Sequence, residues 1–209
     1  MKDWLKNEWQ NLAFKYCNDA DLILKYWEEI STQYSNKSRH YHNLTHIHNM
    51  LFQVETFQSE ITNLSELKFA IWYHDIIYKS TQKDNEEKSG ELAKKRLKTF
   101  NFNSKSIKKV EILIVSTKKH NIILNQNLDN AYLLDLDLSI LGSTWETYNE
   151  YIKSIRKEYK IYPDFLYNPG RKKVLKHFLE RDQIYFTPDS KNRLERKARE
   201  NLRKEIEML

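Results

Sequence analysis

The stretch Arg39-His40-Tyr41-His42-Asn43-Leu44-Thr45-His46-Ile47-His48 gathers four of the chain's seven histidines into nine residues. A fifth, His74, abuts Asp75 at the end of the apolar run Phe69-Ala70-Ile71-Trp72-Tyr73. Imidazole is the commonest metal ligand and offers a neutral ring nitrogen near pH 7. A solvated surface has no need to bunch it in this way, so the clustering points to a site, and to a metal site first. A carboxylate beside a histidine in a buried run is costly unless it is paired or coordinated, and a cation solves that problem. A third source of ligands is Leu133-Leu134-Asp135-Leu136-Asp137-Leu138, where two acids interrupt an otherwise apolar helix. One divalent metal would account for all three departures from core composition.

Spacing narrows the set. His42 and His46 are four residues apart, so on a helix they share a face one turn apart. His46 and His48 cannot share a face, which sends His48 elsewhere, and His40 and His48 read as structural or solvent-facing residues. Asp135 and Asp137 stand two residues apart, so only one of them should face a metal.

Helical periodicity dominates the elements that must position these groups. The first helix runs from about Asp3 to Tyr16, and Asp19 is placed to cap a second carrying Leu22, Ile23, Tyr26, Trp27 and Ile30. A polar break from Ser31 to Arg39 follows. The histidine cluster then opens a third helix through Ile47, Met50, Leu51, Val54 and Phe57. Ser65 is placed to cap the next, which ends near Ile76-Ile77-Tyr78. Further helices are expected over Asp84–Phe100, Ser104–Lys119, Leu128–Leu141, Thr144–Tyr159 and Arg171–Leu179. Gly142 fits a helix stop, and Pro163 and Pro169 bracket a loop. The tail from Pro188 sets Leu194, Ala198, Leu202, Ile206 and Leu209 on one stripe, which reads as a packing helix rather than a nucleic-acid arm. The expectation is one all-α domain over residues 1–209, with N-terminal helices (1–35), a metal-site core (39–142) and C-terminal helices (143–209).

Composition sets the class. The 209 residues are 40% hydrophobic and 31% charged, enough to bury a large core without staples. Cys17 is the only cysteine, which excludes an intramolecular disulfide and suits a reducing compartment. The opening Met1-Lys2-Asp3-Trp4 leads into a polar amphipathic segment, and no run approaches membrane-spanning length. A cytoplasmic protein without membrane association is expected. The net charge of +6 favours anionic ligands such as nucleotides, but no basic stripe or stacking-aromatic motif accompanies it, so nucleic acid is not the expected partner.

The order of a histidine, a His-Asp doublet and a distant aspartate resembles the HD superfamily of metal-dependent phosphohydrolases. Tyr41-His42-Asn43-Leu44-Thr45-His46 is similar to the Tyr-His-Asn-x-x-His motif of the related cyclic nucleotide phosphodiesterases. Asp137-Leu138-Ser139 resembles the segment that carries their last metal aspartate. With Asp84-Asn85-Glu86-Glu87 and Asp135 to Gly142, the chain from Arg39 onward looks like a bacterial group described only as predicted HD-superfamily metal-dependent phosphohydrolases.

The resemblance implies an HD-domain-like helical bundle in which His46, His74, Asp75 and Asp137 hold the metal. It makes His42 the acid that protonates the leaving oxygen, with Asp75 also orienting the attacking water. Two histidines and two carboxylates suit Mn²⁺, Fe²⁺, Co²⁺ or Mg²⁺ with open water positions better than a closed zinc site. The implied activity is hydrolysis of a nucleotide or other small phosphate ester through a metal-bound water. Arg39, Lys118 or Lys119, and His120 are candidates to bind the phosphate. His120 is also placed to support a second metal with Glu86 or Glu87. The amphipathic tail could support a homodimer. Two alternatives remain open: a non-catalytic metal- and nucleotide-binding sensor module, and a closed structural metal site whose removal unfolds the chain.

Overall fold

The computed structural model describes residues 1–209 and is all-α, with ten α-helices and no strand. In chain order these are α1 (Lys2–Ala13), α2 (Ala20–Tyr34), α3 (Leu44–Phe57), α4 (Leu64–Tyr73), α5 (Asn85–Leu97), α6 (Ser104–Ser116), α7 (Asp129–Asp137), α8 (Trp145–Glu158), α9 (Asp164–Leu179) and α10 (Pro188–Met208). A 3₁₀ segment, Leu138–Gly142, follows α7 directly. The chain forms two compact units, Met1–Leu133 and Leu134–Leu209. No helix is long and apolar enough to cross a membrane.

In the first unit, α4 is the central element. Seven of its ten residues are buried, so it lacks a solvated face and packs against α3, α5 and α6. Trp9 of α1 meets Trp72 edge-on with ring centroids 5.8 Å apart, and its indole N–H donates to Ile23 O (3.0 Å), which ties α1 to α2. The residues that lead into α4 are held by the Asp129 carboxylate, which accepts from Thr62 N (2.8 Å) and Asn63 N (2.9 Å). This partner lies 66 and 67 residues away in sequence, and the N-cap position is Asn63, without a side-chain cap bond, rather than the Ser65 expected.

Three other local expectations are corrected. The third helix does not open within the histidine cluster: Asn43 is its N-cap, in extended backbone, with its side chain accepting from Thr45 N (2.8 Å). Asn is among the best capping residues, so the helix starts after it and leaves His42 in the preceding turn. The next helix stops at Tyr73 instead of continuing toward Tyr78. Pro169 lies inside α9, not in a loop; it falls near the helix start, where Phe165 and Leu166 are exposed, and Tyr167, Leu175 and Phe178 anchor the helix by burial.

The second unit packs α10 against α8, α9 and the 3₁₀ segment, over a core that includes Leu141, Tyr148, Leu175, Tyr185 and Leu202. Among the polar groups buried in this unit, Glu205 pairs with Arg171 (2.6 Å) and also accepts from the Tyr148 hydroxyl. A buried charge of this kind needs its partners close. Gly142 is required by packing rather than by backbone conformation, since no glycine has positive φ. A Cβ placed on it would stand 2.6 Å from Leu194 Cβ and 2.9 Å from Leu194 O. Gly170, within α9, has nothing within 4 Å of such a Cβ. Gly142→Ala should therefore destabilise by about 1–3 kcal/mol through overpacking. Gly170→Ala should instead stabilise by roughly 0.5–1 kcal/mol. Urea unfolding midpoints of the two variants test this pair, and shifts of the same sign would refute the packing role of Gly142.

Candidate metal centre

His46, in the first turns of α3, and His74, at the C-cap of α4, are 28 residues apart in sequence and meet with Nε2 atoms 3.2 Å apart. Asp75 Oδ2 lies 3.1 Å from His74 Nε2. The three donor atoms fall within 4.8 Å of one another, and all three residues are buried. His74 Nδ1 lies 2.9 Å from Ile71 O. A carbonyl can only accept, so Nδ1 carries a proton, and in the neutral form of the ring the Nε2 lone pair faces the cluster. Ligands held about 2.1 Å from one cation, at roughly 90–110° to each other, stand about 3.0–3.4 Å apart. The two observed spacings match, so His46, His74 and Asp75 can hold a metal ion. Without a cation, the same spacing would need a single proton between the two imidazoles beside a desolvated carboxylate.

His42 reaches this cluster from the turn before α3 rather than from the same helix face. Its ring centroid is 6.2 Å from that of His46, and it stacks on Tyr78 at 4.2 Å and 28°. It is half-buried. Arg39 is 7% exposed. Its guanidinium donates to three main-chain carbonyls, those of His42 (3.2 Å), Asp75 and Ile76 (2.7 Å). The bonds to Asp75 O and Ile76 O, and one from the Tyr34 hydroxyl to Trp72 O (3.1 Å), meet carbonyls at and just beyond the end of α4.

Beyond the doublet, the segment leading to α5 is held by two side chains of that helix. Asn85 accepts from Lys79 N (3.1 Å) and donates to Lys79 O (3.0 Å), while Ser89 accepts from Ile77 N (3.1 Å). Glu86 follows Asn85 directly, and burial, with the charge of Asp75 adding to it, holds its carboxyl above the usual range. Glu87 instead pairs with Lys118, and that ion pair lowers the Glu87 carboxyl and raises the exposed Lys118 ammonium. His120 closes the turn after α6 in left-handed backbone (φ 47°), a conformation for which His is enriched among non-glycine residues. His40 is exposed, and His48 packs against Trp4 (4.9 Å) and Phe52 (6.1 Å) on the other side of α3.

The two aspartates of the second unit have different surroundings. Asp135 is fully engaged: Oδ1 accepts from Phe186 N (2.8 Å), and Oδ2 accepts from Thr187 N and Thr187 Oγ1 (both 2.7 Å). It anchors the start of α10, and burial raises its carboxyl against the lowering effect of those bonds. Asp137 ends α7, is half-buried, and adds its negative charge to the forces that raise the Tyr151 phenol.

Sequence reasoning did not find Tyr34 or Tyr78. Tyr34 follows Ile30 on the buried face of α2 and has the pattern of any core residue. No protein-family model, curated protein or solved structure matches this chain.

A cation bound to the folded cluster alone should raise stability by about 2.7 kcal/mol at a hundredfold excess over its Kd. Thermal unfolding with and without Mn²⁺ or Co²⁺ should show that rise in the wild type and its loss in His46→Ala and His74→Ala. A wild-type midpoint indifferent to both metals would exclude this centre.

Proposed function

We propose that the protein is a divalent-metal-dependent phosphohydrolase acting on a nucleotide or another small phosphate ester. The observation that carries this reading is the convergence of His46, His74 and Asp75 donor atoms, with the half-buried His42 beside them. The resemblance of the ordered ligand set to the HD superfamily supports it, as does the net charge of +6, which favours an anionic substrate.

A divalent ion held there would polarise a phosphoryl oxygen and make water acidic enough to attack near neutral pH. Asp75 has two carboxylate oxygens, so one can face the ion while the other accepts a hydrogen bond from the attacking water. His42, as imidazolium, would deliver a ring proton to the leaving oxygen. Its stacking on Tyr78 limits the ring's motion, and its main-chain tie to Arg39 fixes the turn that carries it. Asp135 is committed to the start of α10.

Turnover on a panel of nucleotides and simple phosphate esters with added Mn²⁺ tests this reading. His74→Ala and Asp75→Ala should abolish activity. His42→Gln should lower kcat by roughly 10²–10⁴-fold while metal binding persists. Asp135→Asn should act on stability. Stoichiometric binding of metal and nucleotide with no hydrolysis of any panel member would replace the enzyme by a sensor. Global unfolding on chelation would mark the metal as structural.

A further inference from the structure

The proposed site asks for His74 and Asp75 side by side at a helix end, where main-chain groups have lost their helical partners. Two buried side chains from outside α4 supply those partners. The Tyr34 hydroxyl donates to Trp72 O and lies 3.3 Å from Asp75 N, from which it accepts. Arg39 donates to Asp75 O and Ile76 O. The main chain of Asp75 is thus held on its N–H by a tyrosine and on its carbonyl by an arginine. The same guanidinium donates to His42 O, so one side chain joins the doublet to the turn bearing the candidate acid. Its charge lies 4.9 Å from the Tyr34 ring centroid and 5.7 Å from that of Tyr78, the ring on which His42 stacks.

A buried guanidinium is expensive. Here its acceptors are main-chain carbonyls and its neighbours ring faces; no carboxylate is bound to it. An apolar side chain would fill the same space without desolvating a charge, but it could not hold carbonyls from two separate segments. We infer that Arg39 and Tyr34 are positioning residues that set Asp75 and His42 relative to each other, and that Arg39 acts on the site through the backbone rather than by meeting substrate phosphate. This inference rests on the reading of His46, His74 and Asp75 as metal ligands.

The test uses the full chain, stripped of metal by chelation and titrated with Co²⁺, whose visible absorption reports both affinity and ligand geometry. Tyr34→Phe removes one hydroxyl, and Arg39→Lys keeps the charge but loses the planar fork. Both should weaken Co²⁺ binding by about 10–100-fold, the usual effect of losing a partner that orients a ligand. Both should also change the shape of the Co²⁺ spectrum, which a purely structural loss would leave intact in the folded fraction. Arg39→Ala should recover affinity with millimolar guanidinium. If Arg39→Ala fails to fold, Tyr34→Phe and Arg39→Lys decide the matter. Wild-type affinity and spectrum in those two folded variants would overturn the clamp alone. A wild-type chain that binds no Co²⁺ would overturn the metal reading and the clamp with it.

Discussion

A carboxylate and two imidazoles sit where the chain has least water to offer them, at the end of a helix buried on all sides. Asp75 follows Trp72 and Tyr73, which are fully buried, and its own side chain touches the buried ring of His74. Low-dielectric surroundings make an unpaired charge costly and a paired one strong. The neighbouring elements answer that constraint. α3 brings the Nε2 of His46, Ile71 O fixes the His74 tautomer, and Tyr34 and Arg39 occupy the main chain on either side. The chain entering α4 is likewise held from a distance, by Asp129 on the N–H groups of Thr62 and Asn63.

The four clustered histidines illustrate how one short segment divides its work. Asn43 begins a helix, so His46 enters the core on the first turn while His42 stays in the turn outside. The two rings come within 6.2 Å by different routes, His46 through helix packing and His42 through Tyr78 and the Arg39 bond to its carbonyl. A ligand set on rigid helices beside an acid on a tethered turn is a reasonable division. The first group must converge on one point, whereas the second must remain accessible to substrate.

In the second unit, the pair Asp135 and Asp137 looks equivalent in sequence and has different tasks. Asp135 satisfies two main-chain N–H groups and a hydroxyl at the start of α10, where Thr187 is the N-cap and Pro188 occupies the first turn. Three donors on two oxygens leave it a structural residue. α10 then packs on the 3₁₀ segment so closely that Gly142 has no room for a side chain.

Helix type and approximate extent were legible in the sequence because apolar spacing and local caps act over a few residues: Asp19 caps α2 and Thr144 caps α8. The residue types that make a metal site were legible too, because histidines and acids in apolar runs violate core composition. What holds the main chain around that site was not, since Asp129, Tyr34 and Arg39 reach the two ends of α4 from outside the helix. Arg39 shows the limit best. A buried arginine and a phosphate-binding one are the same letter, and only the carbonyls of His42, Asp75 and Ile76 around it tell them apart. The sequence by itself determined the all-α class and the chemical inventory, through short-range propensity and side-chain chemistry. Which members of that inventory converge was decided by the tertiary structure alone, because the bonds that bring His46 to His74, and Asp135 to Thr187, join residues 28 and 52 positions apart.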